Sequence, residues 1–293
     1  VRIMTSVDGM NTRASYGNST DKLNSFGFCI KNANSETYTY DNVKVTKEGS
    51  NWNPATQMLW QNSTTAVDIL AYAPYQETTE DANGKVNVFG KTDYAFSVKE
   101  DQSNAEDYSS DLIVYKKTGF KPESDLNTNQ AVDVTFTHLL SQLNLTIELR
   151  DQFNQDEKKP VTSATVTDVK VDGTFIRSKV NFAADPISVL RDGQASAAIT
   201  PETVAFKKAD KTTDHATFKY SAIVIPQKVI AGQLCIKFKV DGTDYIWTGT
   251  SDVEFVSGKK YDLLLLVGKD VVQGGTISAT PWGDGGTGSL ETD

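Results

Sequence analysis

Hydrophobic and polar residues alternate along most of this chain with a period of two. In the first seven residues, Val1, Ile3, Thr5 and Val7 share one face while Arg2, Met4 and Ser6 share the other. That is how a strand with one buried side reads. Further runs occupy 25–30, 66–72 and 111–115. The longest is 132–149, in which Val132, Val134 and Phe136 alternate, followed by Leu143, Leu145, Ile147 and Leu149. Others lie at 164–171, 179–182, 195–199, 218–224, 234–240, 245–248 and 260–267. All are rich in β-branched and aromatic residues and are separated by Gly, Asn, Asp and Ser clusters. Asp172-Gly173 and Asp241-Gly242 sit between such runs and predict hairpins, because both central turn positions need a positive φ. No window longer than about ten residues keeps a helical period. The pattern predicts an all-β protein.

A polar stretch with Pro122 at 121–130 precedes the long 132–149 run and predicts a boundary between residues 1–128 and 129–293. Each piece is long enough for a sandwich of about seven strands. The Gly-rich, acidic tail 283–293 is expected to be mobile.

Composition narrows the function. The 293 residues carry 29 basic and 38 acidic side chains, a net charge of −9. That balance argues against nucleic acid or an anionic membrane surface as the main partner. A hydrophobic fraction of 38% supports a sizeable core. The longest apolar run, 263–267, is far too short to span a bilayer. The chain begins at Val1 rather than Met, from which an export signal is expected to have been removed. Cys29 and Cys235 form no CxxC or Cys/His cluster, so neither a metal nor a cofactor is expected; they read as a disulfide or as two buried free thiols. His138 and His215 are the only imidazoles a nucleophilic triad could use, and no enzyme activity is expected.

Several pieces together resemble the fimbrillin and fimbrillin-like family, the pilin and accessory subunits of type V pili in Bacteroidia. They are Thr12-Arg13-Ala14, Trp52-Asn-Pro54 with Trp60, Ala71-Tyr-Ala-Pro74, Ser110-Asp-Leu112, Phe136-Thr-His138-Leu-Leu-Ser-Gln-Leu143, Gly258-Lys-Lys-Tyr261 and Ile277-Ser-Ala-Thr-Pro-Trp282. The resemblance implies two tandem transthyretin-like, Greek-key β-sandwich domains in an exported lipoprotein of the outer membrane. It also implies that an Arg-specific protease cuts after an N-terminal strand, and that the vacated groove accepts a strand from another subunit. The lipid-bearing cysteine would lie upstream of Val1, so contact with a membrane is expected only through that anchor.

Mapped onto this chain, Val1, Ile3 and Val7 become the inward residues of a removable strand, and Arg13-Ala14 the cleavage point in a polar, small-residue segment. Ile277, Ala279 and Trp282, within 276–282, become candidates for a donor strand, with Pro281 arguing against a long ladder because it lacks an N–H. The same residues also read as an ordinary first strand with a surface Arg and an ordinary closing strand.

The remaining features have plain and functional readings. Trp52, Trp60, Tyr72, Tyr75, Trp247 and Trp282 are either core residues or a platform for stacking sugars. His138 reads as a core histidine hydrogen-bonded to backbone, and His215 as a loop residue. The acidic loop 99–111, with Glu100, Asp101, Glu106, Asp107 and Asp111, reads as solvated surface and lacks the spacing of a calcium-binding loop. No carboxylate pair stands out as a glycosidase acid and base.

The expectation is therefore a non-enzymatic pilus or adhesive subunit that assembles by strand donation. Its expected partners are other pilin subunits, the processing protease and host or bacterial receptors. The competing expectation is a non-polymerising surface lipoprotein that binds glycan or host protein through aromatics.

Overall fold

The computed structural model describes residues 1–7, 16, 20–77, 88–154, 160–193, 195–209, 215–275 and 277–282. From the N-terminus the chain forms β1 (Arg2–Val7), β2 (Ser25–Lys31), β3 (Tyr40–Glu48), β4 (Asn51–Pro54), β5 (Val67–Ala73), β6 (Tyr94–Ser97) and β7 (Ile113–Phe120). The short helix α1 (Pro122–Asp125) leads to β8 (Ala131–His138) and β9 (Ser141–Leu149). After helix α2 (Asp151–Asn154) come β10 (Val166–Asp172), β11 (Arg177–Asn181), β12 (Ser188–Arg191), β13 (Glu202–Lys207) and β14 (Ala216–Val224). The last strands are β15 (Gln227–Val229), β16 (Cys235–Val240), β17 (Thr243–Thr248), β18 (Val253–Phe255), β19 (Lys259–Val267), β20 (Val272–Gly274) and β21 (Ser278–Pro281).

Alternation decides how these strands layer. Seven of them form a sheet in the order β1-β8-β7-β5-β2-β3-β4. One face turns Phe26, Phe28, Ile30, Ile69, Ala71, Val132, Val134 and Phe136 into a single apolar cluster. The opposite face buries Cys29, Leu70, Tyr72 and Val114 in a second cluster, with Tyr94 and Phe182. A second large sheet runs β13-β14-β9-β19-β20, with β21 also on β19. Its inward Leu143, Leu145, Ile147, Phe218, Leu263 and Leu265 meet Val166, Val171, Ile236 and Phe238 of the β10-β16-β17 sheet. This is face-to-face sheet packing with side chains from both layers filling the space between them.

The run 132–149, expected as one strand, is two. β8 pairs with β1 and β7, whereas β9 pairs with β14 and β19. The change of sheet falls at Leu139–Leu140, both buried, where Leu139 N–H donates to Leu112 O at 2.9 Å and Gly258 N–H donates to Leu140 O at 2.9 Å. The stretch 121–130, expected as a boundary, therefore joins β7 to β8 within one sheet. The two parts also interlock, since β6 pairs with β11.

Of the two expected Asp-Gly hairpins, Asp241 (φ 51°) and Gly242 (φ 83°) do connect the antiparallel β16 and β17. Gly173 instead answers a close approach: a Cβ there would run into the Gln233 carbonyl, and β10 and β11 lie in different sheets. The expected strand 195–199 makes only isolated bridges, Ser196 with Phe175 and Ile199 with Val171.

Candidate functional site

β1 lies at the edge of the seven-stranded sheet and pairs with β8 alone, in parallel register from Arg2–Ala131 to Val7–Phe136. Ile3 and Val7 are buried in the apolar cluster, and Val1 is half-buried against it. Arg2, Met4 and Ser6 face solvent, with Met4 43% exposed. Hydrogen bonds on the outer side are surface contacts, such as Ser6 Oγ donating to Thr135 Oγ1 at 3.0 Å. The strand is thus held by one ladder and by two buried aliphatic side chains over the Val132, Val134 and Phe136 face. Lifting it off would uncover that face and leave the outer edge of β8 unpaired, a template for another strand.

Arg13 and Ala14, the expected cleavage point, lie outside the described residues, as does the tail 283–293. Tyr16, just beyond them, is buried in the same apolar cluster as Ile3 and Val7, with its ring 5.5 Å from Tyr108.

At the other terminus, two short strands share the outer edge of β19. β20 pairs with Leu265–Val267 and β21 with Lys259–Asp262, both antiparallel. Of the donor-strand candidates, Ile277 is half-buried, Ala279 is exposed and Trp282 is buried. The ladder stops at Pro281, as the missing N–H requires. Trp282 then turns inward, its N–H donating to Gly258 O at 2.9 Å.

His138 ends β8 with its side chain 1% exposed. It is a core residue, as expected, and its Nδ1 lies 2.9 Å from Asp111 Oδ1; Asp111, read from sequence as part of a solvated loop, is fully buried. The ring stacks on Trp282 with centroids 4.0 Å apart and planes 3° apart. The loop's other carboxylates lie nearer solvent: Glu100, Asp101 and Glu106 are exposed, and half-buried Asp107 pairs with Lys99. Ser103 donates twice to Asp101, holding its carboxyl below the usual range. His215 sits between Glu148 at 3.0 Å and Asp151 at 2.9 Å. Among the described residues no three His, Cys, Asp or Glu side chains are grouped to hold a metal ion.

The aromatic residues do not form a row. Tyr72 and Trp282 are buried; Trp60 stacks on Phe120, and Trp52 meets Phe26 edge-on. Half-buried Tyr75 lies under Lys44. Trp247 lines a cleft of about 300 Å³ with Asp252, Glu254, Tyr261 and Gly274. Both cysteines are free; burial pushes the Cys29 thiol well up, while Cys235 is half-buried.

A family model for fimbrillin-like proteins matches residues 12–282. The chain belongs to the fimbrillin-like family. No curated protein matches it in sequence. Among solved structures, this fimbrillin-like chain is similar to a protein of Bacteroides ovatus provisionally assigned to cell adhesion, with 13% identity and a TM-score of 0.64 over 96% of each chain. A second protein so assigned, from Bacteroides uniformis, has 19% identity and a TM-score of 0.60 over 96% of this chain and 98% of its own. A fimbrial protein of Bacteroides vulgatus has 16% identity and a TM-score of 0.55 over 96% and 99%. At these identities the likeness concerns fold, and all three share this all-β architecture. Family membership supports a pilus or adhesion subunit on a cell-surface appendage, with a structural rather than enzymatic role. No helix among the described residues is long and apolar enough to cross a membrane.

Sequence reasoning missed Asp111 and Tyr16 as parts of the site. Asp111 stands 27 positions from His138, and its acidic neighbours disguise it as surface. The available signal was Leu112, which made an apolar run begin directly after this one carboxylate.

Proposed function

We propose that this chain is a fimbrial subunit whose first strand is a temporary cover, removed by an Arg-specific protease cutting at Arg13-Ala14. The vacated slot then accepts a strand from a neighbouring subunit. The observation that carries this reading is the place of β1: an edge strand with a single ladder partner, burying Ile3 and Val7 over an otherwise continuous apolar face.

Burial of these two side chains contributes about 1.5–3 kcal/mol each. While the strand is tethered, its effective concentration at the slot keeps it seated. A cut turns that intramolecular contact into a dissociable one, and an incoming strand of better fit can replace it. Backbone hydrogen bonds to β8 give strength, and pockets at alternate positions fix the register. The segment 276–282 is the reading's donor candidate, already an edge element of its own sheet. A lipid anchor upstream of Val1, an outer-membrane location and receptors bound by the assembled fibre belong to the same reading. The net charge of −9 keeps free subunits apart until a slot opens.

The test is limited digestion with an Arg-specific protease, followed by mass spectrometry and gel filtration. Cutting at Arg13 should release the N-terminal peptide and produce species larger than the monomer. A fully cut protein that stays monomeric at high concentration, alone and when mixed with the fimbrial subunits of its own bacterium, contradicts strand exchange.

A further inference from the structure

Tyr16 and Trp282, the residue directly after β21, are joined through the interior. Tyr16 donates its backbone N–H to Asp111 Oδ2 at 2.8 Å. Asp111 Oδ1 lies 2.9 Å from His138 Nδ1, the two side chains being 0% and 1% exposed. The His138 ring lies flat on Trp282, centroids 4.0 Å apart and planes 3° apart. Trp282 in turn closes β21 through its N–H to Gly258 O, at 2.9 Å. Four residues from distant parts of the chain thus form one unbroken line from the N-terminal segment to the C-terminal one.

We propose that the buried Asp111–His138 pair is a latch that fastens the end of β21 for as long as β1 keeps Tyr16 in place. The inference rests on the reading of β1 as a removable cover and adds a consequence to it: withdrawal of β1 loosens the C-terminal strand.

Three observations give the latch its physical content. First, Tyr16 belongs to the same apolar cluster as Ile3 and Val7, so departure of β1 removes part of the packing that encloses the residue donating to Asp111 Oδ2. Second, a buried carboxylate that loses one of its donors must find another or admit water. Either response turns the carboxylate, and with it the imidazole whose coplanar contact seats Trp282. Third, apart from this seat β21 is held by its backbone ladder to β19 and by Ile277 against the core. Ala279, Thr280 and Pro281 are exposed, and among the described residues the buried Trp282 Nε1 has no hydrogen-bond partner. The seat therefore depends on ring contact and burial, with no side-chain hydrogen bond to resist its opening. Seated and unseated Trp282 are the two states that the N-terminal segment biases.

Amide hydrogen exchange at Ser278, Ala279, Thr280 and Trp282 tests this, with the amides that pair β9 and β14 as an internal control. Cutting at Arg13 and removing the released peptide should speed exchange at the four amides about tenfold while the control stays unchanged. Asp111→Asn in the uncut protein should speed the same four amides in the same way. If the peptide leaves and β21 exchanges as before, the latch is wrong and the strand-exchange reading stands. If after complete cutting the peptide neither leaves nor exchanges with a labelled copy, the cover-strand reading fails, and unchanged protection of β21 in uncut Asp111→Asn then overturns the latch as well. Should Asp111→Asn not fold, the cut wild-type protein alone decides.

Discussion

At the scale of single residues, burial sets the main energetic differences. Ile3 and Val7 are 5% and 6% exposed although they sit on an edge strand. Ile3→Ala should cost about 2 kcal/mol, the low end of core truncations, because one side of the site opens to solvent and can relax. Met4→Ala on the outer face should leave the urea midpoint almost unchanged, and equal losses at both positions would remove the distinction between the two faces. The thiols differ for the same reason. Cys29 is fully buried, donates to Asp41 at 3.1 Å and has its titration pushed well up by desolvation, whereas Cys235 is half-buried. A water-soluble disulfide reagent should modify one thiol in the native protein and the second only on unfolding; Cys235→Ser should abolish the native reaction. Burial also pushes the Tyr220 hydroxyl up to about 12. An unfolded tyrosine ionises at about pH 10. The folded state therefore favours the neutral phenol, and that stability is complete below the unfolded value and lost as pH rises toward the folded one. Urea midpoints should fall from about pH 10 to about pH 12, and less steeply in Tyr220→Phe. A midpoint that rises over this range would contradict the assignment.

At the scale of elements, alternation was legible wherever one face of a strand is buried. β1, β2, β5, β14, β16 and β19 all stand where the pattern places them. β3, β4, β12 and β13 were not legible, because their positions are mostly half-buried or exposed and the apolar side carries Tyr, Asn, Ser and Thr as often as aliphatic residues. Asp-Gly pairs show the limit of local signals. At Asp241-Gly242 the flanking strands pair in perfect register, and Gly242→Ala should cost about 1 kcal/mol because its φ of 83° suits only glycine. At Asp172-Gly173 the same dipeptide serves a backbone crossing, which only the position of Gln233 reveals. Thermal unfolding of the Gly242 variant measures the turn's contribution, and an unchanged midpoint would mean that the turn tolerates a side chain.

At the scale of the whole molecule, the decisive feature is the passage of the chain from one sheet to the other at Leu139–Leu140. It could not be read from sequence, since apolar alternation continues on both sides of it. The passage brings His138 beneath Trp282 and beside Asp111, and so puts residues from both ends of the chain in contact at the junction of the two sheets. Family membership was legible from scattered motifs because several of them cluster here in three dimensions: Ser110-Asp-Leu112, the segment around His138, Gly258-Lys-Lys-Tyr261 and the Trp282 that ends the last strand. The account as a whole depends on β1 being a cover that can come off a folded body. The most direct measurement is peptide exchange: the protein is cut at Arg13 and incubated with an isotope-labelled synthetic copy of residues 1–13. The account predicts that labelled peptide replaces the resident one while the body keeps its folded circular-dichroism spectrum. A resident peptide that never exchanges, or leaves only when the body unfolds, would show β1 to be an inseparable part of the sheet.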